Sequence, residues 1–263
     1  MKPLLFTLLA LLGFTAWADA QASLPITRVH WIGSAWMNFH GISSQCSESL
    51  QGRAGFGQIE HSQDRIWPLH ALMDGGKRKM QLYSKERTLP QLIADMEKRE
   101  FDLLVATIQL EMIAEEENDA SFEKTMQFLL SQCRRNGNAR LLLAPYGNDF
   151  AAKCQRGMAR LIPFAKKHQS TLVPWWSAMK QVATERPQHP LFDAKVDGHP
   201  GIGSVYLNVC TFFAAATATD PAKAGLPLEH RSWDATKPPE RLTPSEASYL
   251  QQVAWRAVLD VRE

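Results

Sequence analysis

The amino-acid sequence predicts a three-layer α/β/α sandwich built on a parallel five-stranded sheet. Three observations carry this expectation. Short β-forming runs alternate with amphipathic helices, the pattern of strands joined by helical crossovers. Two of the runs, Asp102 to Gln109 and Ala139 to Pro145, are almost continuously apolar, as strands covered on both faces must be. A capped amphipathic helix then closes the chain.

The elements follow in order. Met1 to Ala20 places one Lys before the apolar stretch Leu4 to Phe14 and ends on Ala18-Asp19-Ala20, which reads as a signal peptide cleaved near Gln21. The apolar run is shorter than the roughly 20 residues a spanning helix requires, so no membrane span is expected after cleavage. Arg28 to Gly33 is rich in β-formers and ends in a glycine, the mark of a buried first strand running into a sharp turn. A second strand is expected at Met80 to Tyr83. Thr88, Pro90 and Gln91 supply an N-cap, an early proline and a capping-box glutamine, and Leu89, Leu92, Ile93 and Met96 then share one helical face. That helix feeds the Asp102 to Gln109 strand. Phe122, Met126, Leu129, Leu130 and Cys133 form a second stripe, which Asn136-Gly137 breaks before the Ala139 to Pro145 strand. Met158 to Lys167 reads as helix and Ser170 to Pro174 as a short fifth strand. The stretch from Asp220 to Leu242 is proline-rich and reads as a surface loop. Thr243-Pro244-Ser245-Glu246 is a second capping box, after which Leu250, Val253, Ala254, Ala257, Val258 and Val261 face one way.

Composition narrows the function. Removing 20 of the 263 residues leaves 243, enough for one domain with a large core, and no linker divides them. The net charge is +2 and no dense Lys/Arg cluster stands out, which argues against a nucleic-acid partner. Cys46, Cys133, Cys154 and Cys210 are few and widely spaced, so one or two disulfides fit an oxidising compartment, with three pairings open for two bridges. The cysteines and the 8 histidines lack zinc-site spacing, so no structural metal is expected.

In a parallel sheet, ligands bind beyond the carboxyl ends of the strands. Gly33-Ser34-Ala35-Trp36 falls there, as does Gln109. Ahead of the last crossover helix, Asp197-Gly198-His199-Pro200-Gly201-Ile202-Gly203-Ser204-Val205-Tyr206-Leu207, with Phe212-Phe213 and Asp220-Pro221, resembles the final motif block of SGNH (GDSL-like) hydrolases, in which an Asp, a His-Pro, a Gly and a Tyr-Leu open a helix. Phe101 to Val105 and Ala247 to Trp255 also look like segments of that superfamily. The resemblance implies a flavodoxin-like sheet of the SGNH hydrolase fold. It further implies an ester hydrolase using Ser, His and Asp on an acetyl or acyl ester of a carbohydrate or lipid, without a cofactor. His199 is then the base, Asp197 the acid that orients it, and Ser34 the nucleophile, with Gly33 and Gln109 as oxyanion or substrate-binding groups. The chemistry requires these types: a serine hydroxyl is a weak nucleophile until an imidazole takes its proton and a carboxylate holds that imidazole's tautomer.

The sequence departs from the family at three places. Where the family reads Gly-Asp-Ser or Gly-Asn-Ser, this chain reads Gly33-Ser34-Ala35, so Ala35 aligns with the nucleophile and Ser34 serves only if the turn is one residue shorter. The Asp stands two residues before His199 instead of three, Val196 occupies the family position, and Asp193 is a more distant alternative. Gly147-Asn148-Asp149 looks like the family's oxyanion block but follows the fourth predicted strand instead of the third. A non-catalytic descendant that binds a glycan, lipid or protein partner in the same cleft is therefore the second reading. Trp31, Trp36, Trp175 and Trp176 are candidates to line that cleft, with core packing the commoner fate of such residues. A leader implies a periplasmic or secreted protein.

Overall fold

The computed structural model describes residues 25–67, 69, 72–73, 81–82, 88–147, 150–189, 191–192, 200–230 and 239–262. The predicted leader, Met80 and Tyr83, Asn148 and Asp149, and Asp193, Asp197 and His199 lie outside these residues.

The strands are β1 (Ile26–Gly33), β2 (Phe56–Trp67), β3 (Gln81–Leu82), β4 (Leu103–Gln109), β5 (Arg140–Tyr146), β6 (Thr171–Leu172), β7 (Glu229–His230) and β8 (Glu240–Arg241). The α-helices are α1 (Ile42–Leu50), α2 (Leu89–Lys98), α3 (Leu110–Ile113), α4 (Asp119–Arg135), α5 (Ala152–Lys167), α6 (Trp175–Glu185), α7 (Ile202–Thr217) and α8 (Pro244–Arg262). A 3-10 turn, Ala35–Gly41, joins β1 to α1. The main sheet has the order β3-β2-β1-β4-β5-β6. Five of its strands, β2-β1-β4-β5-β6, are parallel, and β3 adds an antiparallel edge at Ile66↔Leu82 and Trp67↔Gln81.

The side-chain alternation of the central strands explains the three layers. Val29, Trp31, Leu103, Val105, Leu142, Ala144 and Tyr146 point into a core shared with α1, α6, α7 and α8. Ile32, Leu104, Ala106, Ile108, Leu141 and Leu143 point into the opposite core, shared with α2, α3, α4 and α5. Both faces are buried, which is why these strands read as unbroken apolar runs. Both predicted capping boxes are present: Thr88 N donates to Gln91 Oε1 at 2.7 Å and Thr243 N to Glu246 Oε2 at 3.0 Å, each with the return bond from the N3 amide to the threonine hydroxyl.

Four expectations need correction. The second parallel strand is Phe56–Trp67; of the region assigned to it, Gln81 and Leu82 are described, and they form an antiparallel edge pair. Gln58, Glu60, Gln63 and Arg65 are exposed along β2, so it carries no apolar alternation to read. The helix assigned from Met158 begins at Ala152. The stretch from Asp220 to Leu242 is not simply a surface loop, because Leu226, His230 and Leu242 are buried and β7 pairs with β8. All four cysteines are free and buried, so no disulfide forms.

No helix among the described residues is long and apolar enough to cross a membrane. Nor do the described residues group three or more His, Cys, Asp or Glu side chains in a way that could hold a metal ion.

Candidate functional site at the carboxyl ends of β1 and β4

The chain leaves β1 to build β2 on one side, then crosses back to build β4 on the other. The crevice opened by that reversal is where ligands bind in doubly wound sheets. The residues that leave β1 and β4 there are Ser34 and Gln109.

Gly33 makes the turn possible. Its φ is 142°, and a Cβ on it would stand 1.9 Å from Thr107 Oγ1 and 2.9 Å from the Thr107 carbonyl oxygen. Only glycine allows β1 and β4 to approach this closely at their ends. The approach lets the Ser34 amide donate to Thr107 Oγ1 at 3.1 Å. The Ser34 hydroxyl oxygen accepts from the Trp36 amide at 3.1 Å, capping the turn that Ala35 opens. Ser34 is 6% exposed.

Ser34, Thr107, Gln109 and Tyr146 border one narrow cleft, closed below by Leu69, Ile108 and Ile113. Its volume is ≈ 10 Å³, about the room of a single water molecule. The Trp36 ring stacks on Tyr146 with centroids 5.3 Å apart and planes at 17°. The Trp36 indole N–H, in a residue 4% exposed, has no hydrogen-bond partner among the described residues. Such a buried donor is the kind of group a ligand or ordered water satisfies.

The wall continues past Tyr146. A Cβ on Gly147 would meet Cys154 Sγ at 2.7 Å, Trp176 Cδ1 at 3.1 Å and Glu111 Oε1 at 3.3 Å, so the backbone after β5 is wedged among these side chains. Phe150 packs on Trp176 and on Phe192, with centroids 6.2 Å apart in each case. Phe192 in turn bridges to Pro200, the residue after His199. From Gly147, flanked by Trp176, ring contacts therefore run through Phe150 and Phe192 to the bridge with Pro200.

Of the residues proposed from sequence, the structure brings Gly33, Ser34 and Gln109 together; Asp197 and His199 lie outside the described residues. The tryptophans divide. Trp31 and Trp175 stack in the core at 6.0 Å and are fully buried, their indole N–H groups donating to Ser47 Oγ and the Asn208 carbonyl. Trp175 and Trp176 point into opposite cores, so neither has to face outward. Thr107, Glu111 and Tyr146 were not foreseen. Thr107 was legible only as a hydroxyl interrupting an apolar strand two residues before its end.

No protein-family model matches the sequence, and no curated protein is similar to it in sequence. Among solved structures, a DUF4886 family protein from Bacteroides uniformis superposes with a TM-score of 0.53 at 13% identity, over 89% of this chain and 95% of that one. A candidate GDSL-like lipase from Parabacteroides merdae superposes with a TM-score of 0.47 at 12% identity, over 74% of this chain and 97% of that one. The strand order, the two-sided burial of the sheet and the DUF4886 likeness define a three-layer α/β fold built on the parallel sheet β2-β1-β4-β5-β6.

Proposed function

We propose that the chain is an exported hydrolase acting on an acetyl or acyl ester of a carbohydrate or lipid, with Ser34 as nucleophile, His199 as general base and Asp197 orienting His199. The observation that carries this reading is the convergence of Ser34, Thr107 and Gln109 in one cleft at the β1/β4 switch point. In the reaction, Ser34 Oγ attacks the ester carbonyl as its proton passes to His199. The alkoxy group leaves with that proton, and water then cleaves the acyl-enzyme by the same route in reverse. Developing negative charge on the carbonyl oxygen needs preorganised donors. In this reading the Gln109 side chain and the turn at Gly33 supply them.

A second reading has its own observation. Ser34 Oγ is engaged as a cap by the Trp36 amide, and Ala35 occupies the first position of the turn, which suits a cleft that binds a glycan, lipid or protein partner without turnover. Hydrolysis of p-nitrophenyl acetate and butyrate by the purified chain separates the two. The hydrolase reading expects turnover that falls at least about a thousandfold in both Ser34→Ala and His199→Ala. Background rates in the folded native protein favour the binding reading. Periplasmic or secreted placement is part of the proposal, and N-terminal sequencing of the exported protein should begin near Gln21.

A further inference from the structure

A second hollow lies at the opposite edge of the sheet, where β5 and β6 begin and α7 ends. Its volume is ≈ 510 Å³, and among the described residues its lining includes Arg140, Lys166, Ser170 and Arg262 but no carboxylate. Arg140 Nη2 donates to the Ala216 carbonyl at 3.0 Å, and Arg262 Nη2 to the Ala214 and Ala215 carbonyls at 3.3 Å each. Two guanidinium groups thus stand on three successive carbonyls at one helix end. That helix end offers about half an elementary negative charge, against two full positive charges and a third from Lys166.

The imbalance leaves donors unused. Each guanidinium carries five N–H groups, and only the Nη2 of each is engaged among the described residues. Ser170 Oγ is buried and has no hydrogen-bond partner among the described residues. Desolvation, and then the positive Arg262 beside it, lower the pKa of Arg140, which an anion set between the two would reverse.

We propose that this hollow binds a phosphate-type oxyanion, gripped by the spare N–H groups of Arg140 and Arg262 and completed by Lys166 and the Ser170 hydroxyl. Planar guanidinium forks match the paired oxygens of phosphate, and three cations match a dianion better than a single carboxylate. The hollow is larger than a phosphate ion, leaving room for the organic part of a phosphoester or for the glycerol end of an anionic phospholipid. The inference does not depend on the cleft at Ser34 being catalytic.

The test uses the purified full chain. Its thermal unfolding midpoint is followed while inorganic phosphate replaces chloride at constant ionic strength, and its cosedimentation with phosphatidylglycerol vesicles is compared with that on phosphatidylcholine vesicles. A midpoint that climbs with phosphate, or retention on the anionic vesicles alone, is expected; the first without the second identifies a soluble phosphoester and the second a lipid headgroup. Arg140→Gln should weaken binding by about tenfold or more, the loss of a charge-assisted bond. Because that variant also uncaps α7, Lys166→Gln and Ser170→Ala, which touch no α7 carbonyl, provide the independent check and should each weaken binding several-fold. Equal midpoints in phosphate and chloride with no vesicle retention would overturn the proposal. So would binding that survives unchanged in the Lys166→Gln/Ser170→Ala double variant.

Discussion

Replacing Gly33 by alanine should be among the most damaging single-methyl changes in the chain. The added Cβ would lie 1.9 Å from Thr107 Oγ1, 2.9 Å from the Thr107 carbonyl oxygen and 3.0 Å from Thr107 Cβ, and φ at this position is +142°. Holding a non-glycine residue in such a sparsely populated backbone region costs about 1–3 kcal/mol. Overpacking against a side chain and a backbone atom of a central strand adds about 1–3 kcal/mol more. A loss of roughly 2–6 kcal/mol is a large share of the ~5–15 kcal/mol that holds a domain folded. The assay is urea unfolding followed by tryptophan fluorescence, run also on Thr107→Ala and on the Gly33→Ala/Thr107→Ala pair. Thr107→Ala alone forfeits the bond from the Ser34 amide and should cost about 1 kcal/mol. Together the two should be less harmful than their sum by about 1–3 kcal/mol, because the 1.9 Å contact disappears while the contacts with the residue 107 Cβ and carbonyl oxygen and the φ penalty remain. Gly33→Ala within about 0.5 kcal/mol of the native protein, or strict additivity in the pair, would refute the claim that the β1 turn is built on this close approach.

Further outcomes follow from buried and paired groups. Burial is the main cause that lowers His230 to about 4. Its folded pKa lies below the unfolded value, so its contribution is complete above about pH 6.5 and is lost as pH falls toward 4, by roughly 3 kcal/mol; His230→Gln should flatten that part of the stability profile. Asp102 is pushed up by desolvation but held down to about 2 by the Arg28 guanidinium and by bonds from the Thr27 and Arg28 amides and the Thr27 hydroxyl. Its contribution, roughly 1–2 kcal/mol after allowance for solvent, should vanish as pH falls from about 4 to 2 and be absent in Asp102→Asn. A thiol titration without reductant should find 4 free cysteines per unfolded chain. Reaction should be slow in the folded protein, since burial raises the thiols of Cys46, Cys133 and Cys210.

What could be read from the sequence depended on which physical signal each element sends. The buried strands at Leu103–Gln109 and Arg140–Tyr146 declared themselves because both of their faces are apolar, and α2 and α8 because their caps are written in side chains. β2 sends neither signal. It borders β1 along its length and, among the described residues, β3 only at Ile66 and Trp67, so much of it can be polar. Its polar residues do structural work invisible in one dimension: His30 of β1 meets Ser62 Oγ at 2.9 Å and Asp64 Oδ2 at 3.3 Å, and Arg99 reaches the same carboxylate at 3.4 Å. A histidine with no partner spacing in sequence finds its partners across the sheet.

The candidate site divides along the same line. Gly33, Ser34 and Gln109 could be placed at strand carboxyl ends because the runs that hold them read as strands. Thr107 was not legible, since it stands two residues before the end of its strand and meets Ser34 only through the bond it accepts from an amide 73 residues away. The capping role of the Ser34 hydroxyl also depends on a backbone amide whose direction only the folded turn fixes.

The most direct test of the central claim is labelling of the folded, purified chain with a fluorophosphonate, followed by mass-spectrometric mapping of the adduct. A catalytic cleft at the β1/β4 switch point predicts one adduct per chain on the peptide containing Ser34, absent from Ser34→Ala and from His199→Ala. A folded native protein that takes no label, or one labelled equally in Ser34→Ala, would contradict it.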